Sequence, residues 1–290
     1  MKKHSIAGLL AGLTAAAIWG GMYVVTKVVL EVFPPFTLLL VRLVLGFLTL
    51  AIIILMRGGF SVTKRQFWAF FGVGTVGYGL SMGFQLVGTK LSTAANGSLV
   101  TSATPMLVLP FAYFLLKEPI SRTKLIAVFV ASIGVLAVID PRNAQISPSV
   151  FLGNVLLLGA AVTWALYSVL VRKVSAGVDM LQASAVMLLG GLLFTIPASA
   201  LESINQRIGI ITPGIIGGLI FLGVISTAVA MFLWNYAFAE LPAAVASLTF
   251  FAQPLVGTLL GWFFLGEEIT ALFIIGGLLI GIGIIISSRE

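Results

Sequence analysis

Residues 93–118 read TAANGSLVTSATPMLVLPFAYFLLKE, and residues 242–267 read PAAVASLTFFAQPLVGTLLGWFFLGE. The two stretches match at a constant offset of 149 residues: a pair of alanines, a serine, a proline and a terminal glutamate recur in the same order. Gly134 and Gly283 keep that offset, and Trp19 corresponds to Trp164 at an offset of 145. So many matches in one order indicate that the chain consists of two related halves.

The composition places both halves in a membrane. Apolar residues make up 60% of the 290 residues and charged residues 9%, whereas a soluble protein carries about 25% charged residues. A bilayer span needs about 20 mainly apolar residues. Ten stretches between charged or turn-forming residues approach this length: residues 5–30, 35–56, 66–89, 91–116, 123–139, 149–171, 179–201, 213–238, 241–265 and 269–288. The sequence therefore predicts an all-α polytopic membrane protein with ten transmembrane helices.

Each half contains five predicted spans, so the two halves cross the membrane in opposite directions. We expect one repeat over residues 1–140 and a second, inverted repeat over residues 149–288. Inverted repeats place a pseudo-two-fold axis in the membrane plane and a substrate site near the midplane. Alternating access follows, because exchanging the conformations of the halves turns an inward-open state into an outward-open one. A tandem duplication kept only for folding is the alternative.

The basic residues predict the orientation. If the N-terminus is cytoplasmic, eleven lysines and arginines lie inside and four outside, which is the bias expected of membrane proteins. The protein is therefore expected in the cytoplasmic (inner) membrane with both termini in the cytoplasm. The net charge is +7, and the basic residues that cause it lie at the ends of the apolar stretches. This pattern is typical of a membrane protein, so we expect the lipid bilayer as partner and no nucleic acid.

Several chemistries are excluded by composition. The chain has no cysteine, and its one histidine, His4, is near the N-terminus. Thiolate catalysis, iron–sulfur clusters, cysteine-type zinc sites and a Ser/His/Asp triad are therefore ruled out. We expect no metal, no cofactor and no enzymatic activity.

The repeated residues also resemble a known family. Each half has a small-residue stretch (Thr93-Ala94-Ala95; Pro242-Ala243-Ala244), a mid-helix proline (Pro105; Pro254), a terminal glutamate (Glu118; Glu267) and a glycine-rich last helix. This arrangement resembles the EamA-type branch of the drug/metabolite transporter (DMT) superfamily over essentially the whole chain. Lys117 stands where the family usually has glycine. The resemblance implies an exporter of amino acids and other metabolites, sometimes of toxic compounds.

Two tryptophans are the first candidates for the substrate cavity. Trp19 and Trp164 each lie about fourteen residues into their spans, a rise of about 21 Å, which is too deep for the interfacial aromatic belt. As corresponding residues they are expected to face each other across the repeat axis. Helix packing is the alternative role.

Polar and aromatic residues inside the other spans complete the candidate cavity. Gln85 needs a hydrogen-bond partner or water within the hydrocarbon. For the polar residues beside the prolines, hydrogen bonds that hold helices together are the alternative. The further candidates are Tyr78, Ser81, Met82, Gln85, Asn96, Thr101, Thr104, Tyr167, Thr227, Trp234, Thr249 and Gln253.

Charged residues and prolines have alternative roles. Arg42, inside the second span, either meets a substrate carboxylate, reaches the outer surface, or pairs with Glu31. Glu118 and Glu267 lie at helix ends and serve either in capping and pairing or in gating. Pro105 and Pro254 are equivalent hinges or static kinks.

These observations predict a secondary transporter that exports small metabolites such as amino acids by alternating access. Efflux of toxic or drug-like amphipathic compounds is one alternative, and a substrate-permeable channel is a less favoured one. No Asp or Glu occupies a midplane position, which favours facilitated diffusion over a carboxylate proton relay. A monomer suffices for transport because both halves are in one chain, and a dimer is compatible with it.

Overall fold

The computed structural model describes residues 3–92, 100–101, 103–139, 151–265 and 271–288. These residues form the all-α architecture of a polytopic membrane protein, as predicted, with ten helical spans numbered in chain order. The spans are α1 Lys3–Leu30, α2 Pro35–Met56, α3 Lys64–Leu91, α4 Thr104–Leu116, α5 Arg122–Ile139, α6 Phe151–Val174, α7 Met180–Asn205, α8 Pro213–Glu240, α9 at residues 243–265 and α10 Ala271–Ser288.

Six of the spans, α1, α2, α3, α6, α7 and α8, are each long and apolar enough to cross a membrane. The outward faces of the bundle are apolar, and large side chains such as Phe129, Phe151 and Leu278 are more than 60% exposed. An apolar surface of this extent is stable only when a membrane or a partner covers it. The protein is therefore a multi-pass membrane protein.

The helix ends follow from local sequence. Thr63 and Gln66 form a capping box at the start of α3, and the Thr212 side chain accepts a hydrogen bond from the backbone of Ile215 at the start of α8. At the end of α4, Lys117 has φ 58° and ψ 26°, the left-handed conformation that favours glycine. This geometry explains why glycine is the usual family residue at that position.

Two spans contain a wide helical turn at corresponding places. In α3 the segment Thr75–Ser81 is π-helical, and in α8 the segment Phe221–Val229 is π-helical. Such segments are rare and often lie at functional sites. Neither was predicted from the sequence, because an apolar stretch of span length reads as a regular α-helix.

The helix contacts of the two halves mirror each other. α1 packs against α8 and α9, and α6 packs against α3 and α4. Likewise α2 packs against α8 and α3 against α7, while α2 contacts α7 and α5 contacts α10. Exchanging each helix for its counterpart five spans away maps this set of contacts onto itself.

The same correspondence appears at the level of single residues. A Cβ atom on Gly46 would lie 2.8 Å from Thr227 and 3.4 Å from Leu188. At an offset of 145 stands Gly191, where a Cβ would lie 2.7 Å from Tyr78 and 3.0 Å from Leu43. Leu188 corresponds to Leu43 at the same offset of 145, and Thr227 corresponds to Tyr78 at the offset of 149 that also relates Pro254 to Pro105. The second contact therefore repeats the first with the halves exchanged.

Glycines bring helix backbones into direct contact where α3 meets α7. A Cβ on Gly74 would lie 1.9 Å from the carbonyl oxygen of Met187, and a Cβ on Gly190 would lie 2.0 Å from that of Phe71. Small residues permit such close approach between membrane helices. Gly72, two residues earlier in α3 and on another face of the helix, faces open space, so it does not share this role.

Substituting Gly74 tests this contact. We expect Gly74→Ala to destabilise the protein by about 1–3 kcal/mol, because the added methyl group meets a backbone carbonyl that cannot turn aside. The measurement is the thermal unfolding midpoint of the purified protein in detergent. Gly72→Ala is the matched control, for which we expect an unchanged or slightly raised midpoint. Equal midpoints for the two variants would contradict the close packing of α3 on α7.

Candidate substrate cavity

A cavity lies between the two halves of the bundle. The first half contributes side chains from α1, α2, α3 and the start of α4, and the second half contributes side chains from α6, α8 and α9. The lining residues are Trp19, Met22, Arg42, Ser81, Met82, Gln85, Thr101, Thr104, Ala160, Ala161, Trp164, Met231, Phe250 and Gln253. Its free space is only about 30 Å³, room for about one or two water molecules. A larger molecule therefore fits only if the wall moves.

Aromatic rings form one side of the cavity. Trp19 and Trp164 lie edge to face with ring centroids 5.7 Å apart, and Phe250 lies 6.2 Å from Trp19. Trp234 packs behind them, 5.3 Å from Trp19, and its indole nitrogen donates to the Ser168 hydroxyl. Aromatic pairs at such distances and angles attract one another beyond the effect of their burial. The cavity therefore has an apolar aromatic wall to which both halves contribute.

Arg42 supplies a charge at the cavity wall. Its side chain is fully buried, its Nε donates to Thr227 Oγ1 at 3.3 Å, and its Nη2 lies 3.5 Å from Ser226 Oγ and 3.4 Å from Met22 Sδ. The predicted alternatives of an exposed Arg42 or a pair with Glu31 are therefore wrong. The guanidinium does not reach the surface because α8 packs on α2 and its hydroxyls hold the charge inside.

A polar cluster lies behind the cavity rather than in it. The hydroxyls of Tyr78 and Tyr167 lie 2.7 Å apart, and the Tyr167 hydroxyl also donates to Oδ1 of Asn235. Nδ2 of Asn235 donates to Tyr78 and to Ser184, each at 2.9 Å. All four side chains are fully buried. The cluster connects α3, α6, α7 and α8 by hydrogen bonds inside the bundle.

Several predicted cavity residues are therefore misplaced by the sequence interpretation. The spacing of Tyr78, Met82 and Gln85 (i, i+4, i+7) predicts that they share one face of a regular α-helix. The segment Thr75–Ser81 is π-helical instead, and its wider turn changes this register. None of five buried predicted side chains is part of the lining: Tyr78, Tyr167, Thr227, Trp234 and Thr249. Of the remaining candidates, Asn96 and Glu267 lie outside the described residues.

Asn235, which the sequence interpretation missed, is the centre of the polar cluster. It is a single amide in an otherwise apolar stretch, and its partners lie more than 45 positions away in the chain. A buried amide in hydrocarbon needs hydrogen-bond partners, and that requirement is the one signal that could have singled it out.

Both predicted hinge prolines follow an irregular backbone segment. Pro105 stands in the first turn of α4, and the Thr104 hydroxyl donates to the carbonyl of Thr101 at 2.6 Å. That carbonyl is four residues before Pro105, so it is the one that the proline leaves without a backbone donor. Pro254 follows the 3₁₀ segment Thr249–Phe251, which interrupts α9. The interruptions lie beside the cavity, since Thr104 and Gln253 line it.

Glu118 closes one end of the bundle. Its carboxylate accepts from the backbone N–H of Ala243, the first residue of α9, at 3.1 Å, and Oε1 lies 3.5 Å from Nε of Arg172. Arg172 also donates to the carbonyl of Ala239 at the end of α8 at 2.6 Å. A carboxylate at a helix N-terminus satisfies free N–H groups and the helix dipole. Glu118 thus caps and pairs, which is one of its two predicted roles.

Comparison with known proteins decides the family. The model of the EamA-like transporter family matches residues 6–139 and 151–289. The chain belongs to this family. Its relatives include the uncharacterized transporter YetK of Bacillus subtilis, 26% identical over 94% of this chain and 84% of YetK. The uncharacterized transporter YoaV of the same bacterium is 25% identical over 97% of this chain and 96% of its own length.

The likeness extends to archaea and to a solved structure. An uncharacterized transporter of Archaeoglobus fulgidus is 24% identical over 97% of both chains. A crystal structure with 22% sequence identity superposes with a TM-score of 0.82 and covers 97% of this chain and 96% of that one, which shows the shared fold. The family and these relatives show that the protein is a membrane transporter, as its sequence predicted.

We expect the hydrogen bonds of the polar cluster to stabilise the folded bundle of this EamA-like transporter. Tyr167→Phe removes the hydroxyl that donates to Asn235 and leaves its amide oxygen without that donor. We expect a loss of about 1 kcal/mol or more, which corresponds to a fall of about 2 °C or more in the unfolding midpoint. Tyr113→Phe, at a half-exposed tyrosine, is the matched control. A midpoint for Tyr167→Phe as high as that of the control would show that the cluster does not stabilise the bundle.

Proposed function

We propose that this EamA-like transporter is a secondary transporter that exports small metabolites such as amino acids by alternating access. The observation that carries the proposal is the position of the cavity, which is lined by corresponding elements of the two halves. Trp19 of α1 and Trp164 of α6 are corresponding residues, and both line it. A site at the interface of two halves is where an exchange of their conformations changes access most directly.

The inverted relation of the halves is part of the proposal. The mirrored helix contacts, the π segments of α3 and α8 and the matching prolines support it. Because each half contributes an odd number of spans, a two-fold axis between them lies in the membrane plane. The division into repeats at residues 1–140 and 149–288 belongs to the same proposal.

The narrowness of the cavity supports a mechanism with moving walls. A free space of about 30 Å³ is smaller than any amino acid, so binding requires the halves to separate. The irregular segments before Pro105 and Pro254 are suitable places for bending, because their backbone lacks part of the helical hydrogen bonding. In this proposal the two prolines are equivalent hinges. When the halves separate at one membrane surface and close at the other, the cavity changes from being open to one compartment to being open to the other.

The lining favours small amphipathic solutes. Indole and phenyl rings face methionines, hydroxyls and an amide, so a molecule with an apolar side chain and a polar head finds contacts for both parts. Amino acids have this character. Export across the cytoplasmic membrane, with both termini in the cytoplasm, is the direction and orientation we propose, and the excess of basic residues on the proposed cytoplasmic side supports the orientation.

Transport in liposomes tests the cavity. We expect saturable uptake of one or more amino acids by the reconstituted wild type. Trp19→Ala should lower that uptake by about tenfold or more, because removing a buried tryptophan at a binding site costs about 2 kcal/mol or more. Trp68→Ala, at a tryptophan that is 59% exposed outside the cavity, is the matched control. Rates are normalised to the amount of correctly inserted protein. Equal rates for the two variants would show that Trp19 has no part in the transport path.

An imposed pH gradient tests the energy source. None of the described lining residues is Asp or Glu, the groups that commonly carry protons in coupled transporters. We therefore expect the initial rate of amino-acid uptake to be the same with and without a gradient across the liposome membrane. Accumulation driven by the gradient would contradict facilitated transport and would require a protonatable group elsewhere, for which Glu118→Gln is the first variant to measure.

A further inference from the structure

Two buried hydrogen-bond donors at the cavity have no partner among the described residues. Nη1 of Arg42 and Nε1 of Trp164 are both inaccessible to solvent and form no hydrogen bond. Both side chains line the same cavity, whose free space is about 30 Å³. Trp19 differs, because its indole nitrogen donates to the carbonyl of Ser226 at 3.0 Å. Of the side chains that line this cavity, the two with an unpaired buried donor thus belong to α2 of the first half and α6 of the second.

The charge of Arg42 has no counter-ion in the described part of the chain. Its contacts are two hydroxyls, Ser226 and Thr227, and the thioether of Met22, all of them neutral. Glu118, a described carboxylate in the bundle, is paired with Arg172 instead. A buried guanidinium whose hydrogen bonds reach only neutral groups is costly unless an anion completes its coordination.

The fold itself does not require a charge at this place. At the offset of 145 that relates Gly46 to Gly191, the counterpart of Arg42 is Met187, which is also fully buried. Met187 packs beside Asn235, in the polar cluster that occupies the equivalent place in the other half. An uncharged residue of similar length therefore fills the corresponding site between α7 and α3. The charge of Arg42 is then explained by a ligand rather than by packing.

We propose that Arg42 and Trp164 form a carboxylate receptor in the transport cavity, so that the transported molecules are amino acids or other small organic acids and not amines. The guanidinium provides an ion pair and an N–H donor, and the indole provides a second donor from the other half of the bundle. Charge-assisted hydrogen bonds of this kind are short and strong, and arginine matches the planar geometry of a carboxylate. The aromatic wall around Trp19 then accommodates the apolar part of the ligand. This inference rests on the proposed transport function and names the chemistry of its site.

Ligand binding to the purified protein tests the receptor separately from transport. The probes are phenylalanine and leucine, each compared with its α-keto acid, which keeps the carboxylate, and with its decarboxylated amine, which keeps the ammonium group. We expect the amino acids and the keto acids to raise the unfolding midpoint in detergent in a saturable manner, and the amines to leave it unchanged. Stabilisation by the amines equal to that by the keto acids, or by chloride equal to either, would overturn the proposal. So would the absence of stabilisation by every carboxylate.

Three variants locate the receptor within the cavity. Arg42→Met introduces the residue found at the corresponding position, and we expect it to abolish stabilisation by carboxylates while keeping the ligand-free midpoint at or above that of the wild type. Arg42→Lys keeps the charge and loses the planar fork, so its affinity should be intermediate. Trp164→Phe keeps the ring and removes the donor, and we expect affinity to fall by roughly 10-fold or more. Carboxylate binding that persists unchanged in Arg42→Met, or in Arg42→Lys and Trp164→Phe if the first variant does not fold, would refute the receptor.

Uptake in liposomes distinguishes failure of this inference from failure of the proposed function. If the wild type transports amines as fast as amino acids, the carboxylate receptor is wrong and transport through the cavity stands. If carboxylates bind with the predicted dependence on Arg42 but no uptake occurs, the receptor stands and amino-acid transport is wrong.

Discussion

The hydrocarbon core of a bilayer offers no hydrogen-bond partner to a polypeptide backbone, and this constraint governs the architecture. Along the lipid-facing surface the chain satisfies itself by regular helix, as it must. The departures from regular helix are the π segments of α3 and α8, the break before α4 and the 3₁₀ turn within α9. Each of them packs against other helices, and threonine hydroxyls in these segments donate to backbone carbonyls: Thr75 to that of Phe71, Thr227 to that of Leu222 and Thr249 to that of Ala246. The Thr104 hydroxyl likewise donates to the Thr101 carbonyl.

The same constraint applies to side chains, and it separates two kinds of buried polar group. Tyr78, Tyr167 and Asn235 satisfy one another, so their cluster is complete without any further molecule. Arg42 and Trp164 are not completed in this way. A closed network rigidifies a bundle, whereas open donors at a cavity are available to a ligand. The cluster around Asn235 thus holds the helices together, and Arg42 and Trp164 beside it are the groups that we propose bind a ligand.

The sequence was sufficient for what depends on length and hydrophobicity. The second span was predicted at residues 35–56 and is observed at Pro35–Met56, because a long apolar stretch bounded by Phe33-Pro34 and Arg57 has only one reading in a membrane. The cavity positions of Trp19, Gln85 and Gln253 also followed from depth and polarity. The π turn that displaced Tyr78 did not follow, because it depends on contacts with α6 and α7 rather than on local residue types. The burial of Arg42 was undecided for a similar reason, since its hydroxyl partners lie about 185 positions away.

The two halves resemble each other in their helix contacts and differ at Arg42, the residue that we propose binds a ligand. Arg42 corresponds to Met187, Met22 to Tyr167 and Thr227 to Tyr78, so the contacts around Arg42 have an uncharged counterpart between α7 and α3. In the proposed mechanism, matching backbones give the two halves the same pair of conformations to exchange. A charge on one half alone would then give a bound carboxylate one place to lie in either conformation. Symmetry of the scaffold then accounts for movement, and asymmetry of the lining accounts for the orientation of the molecule that moves.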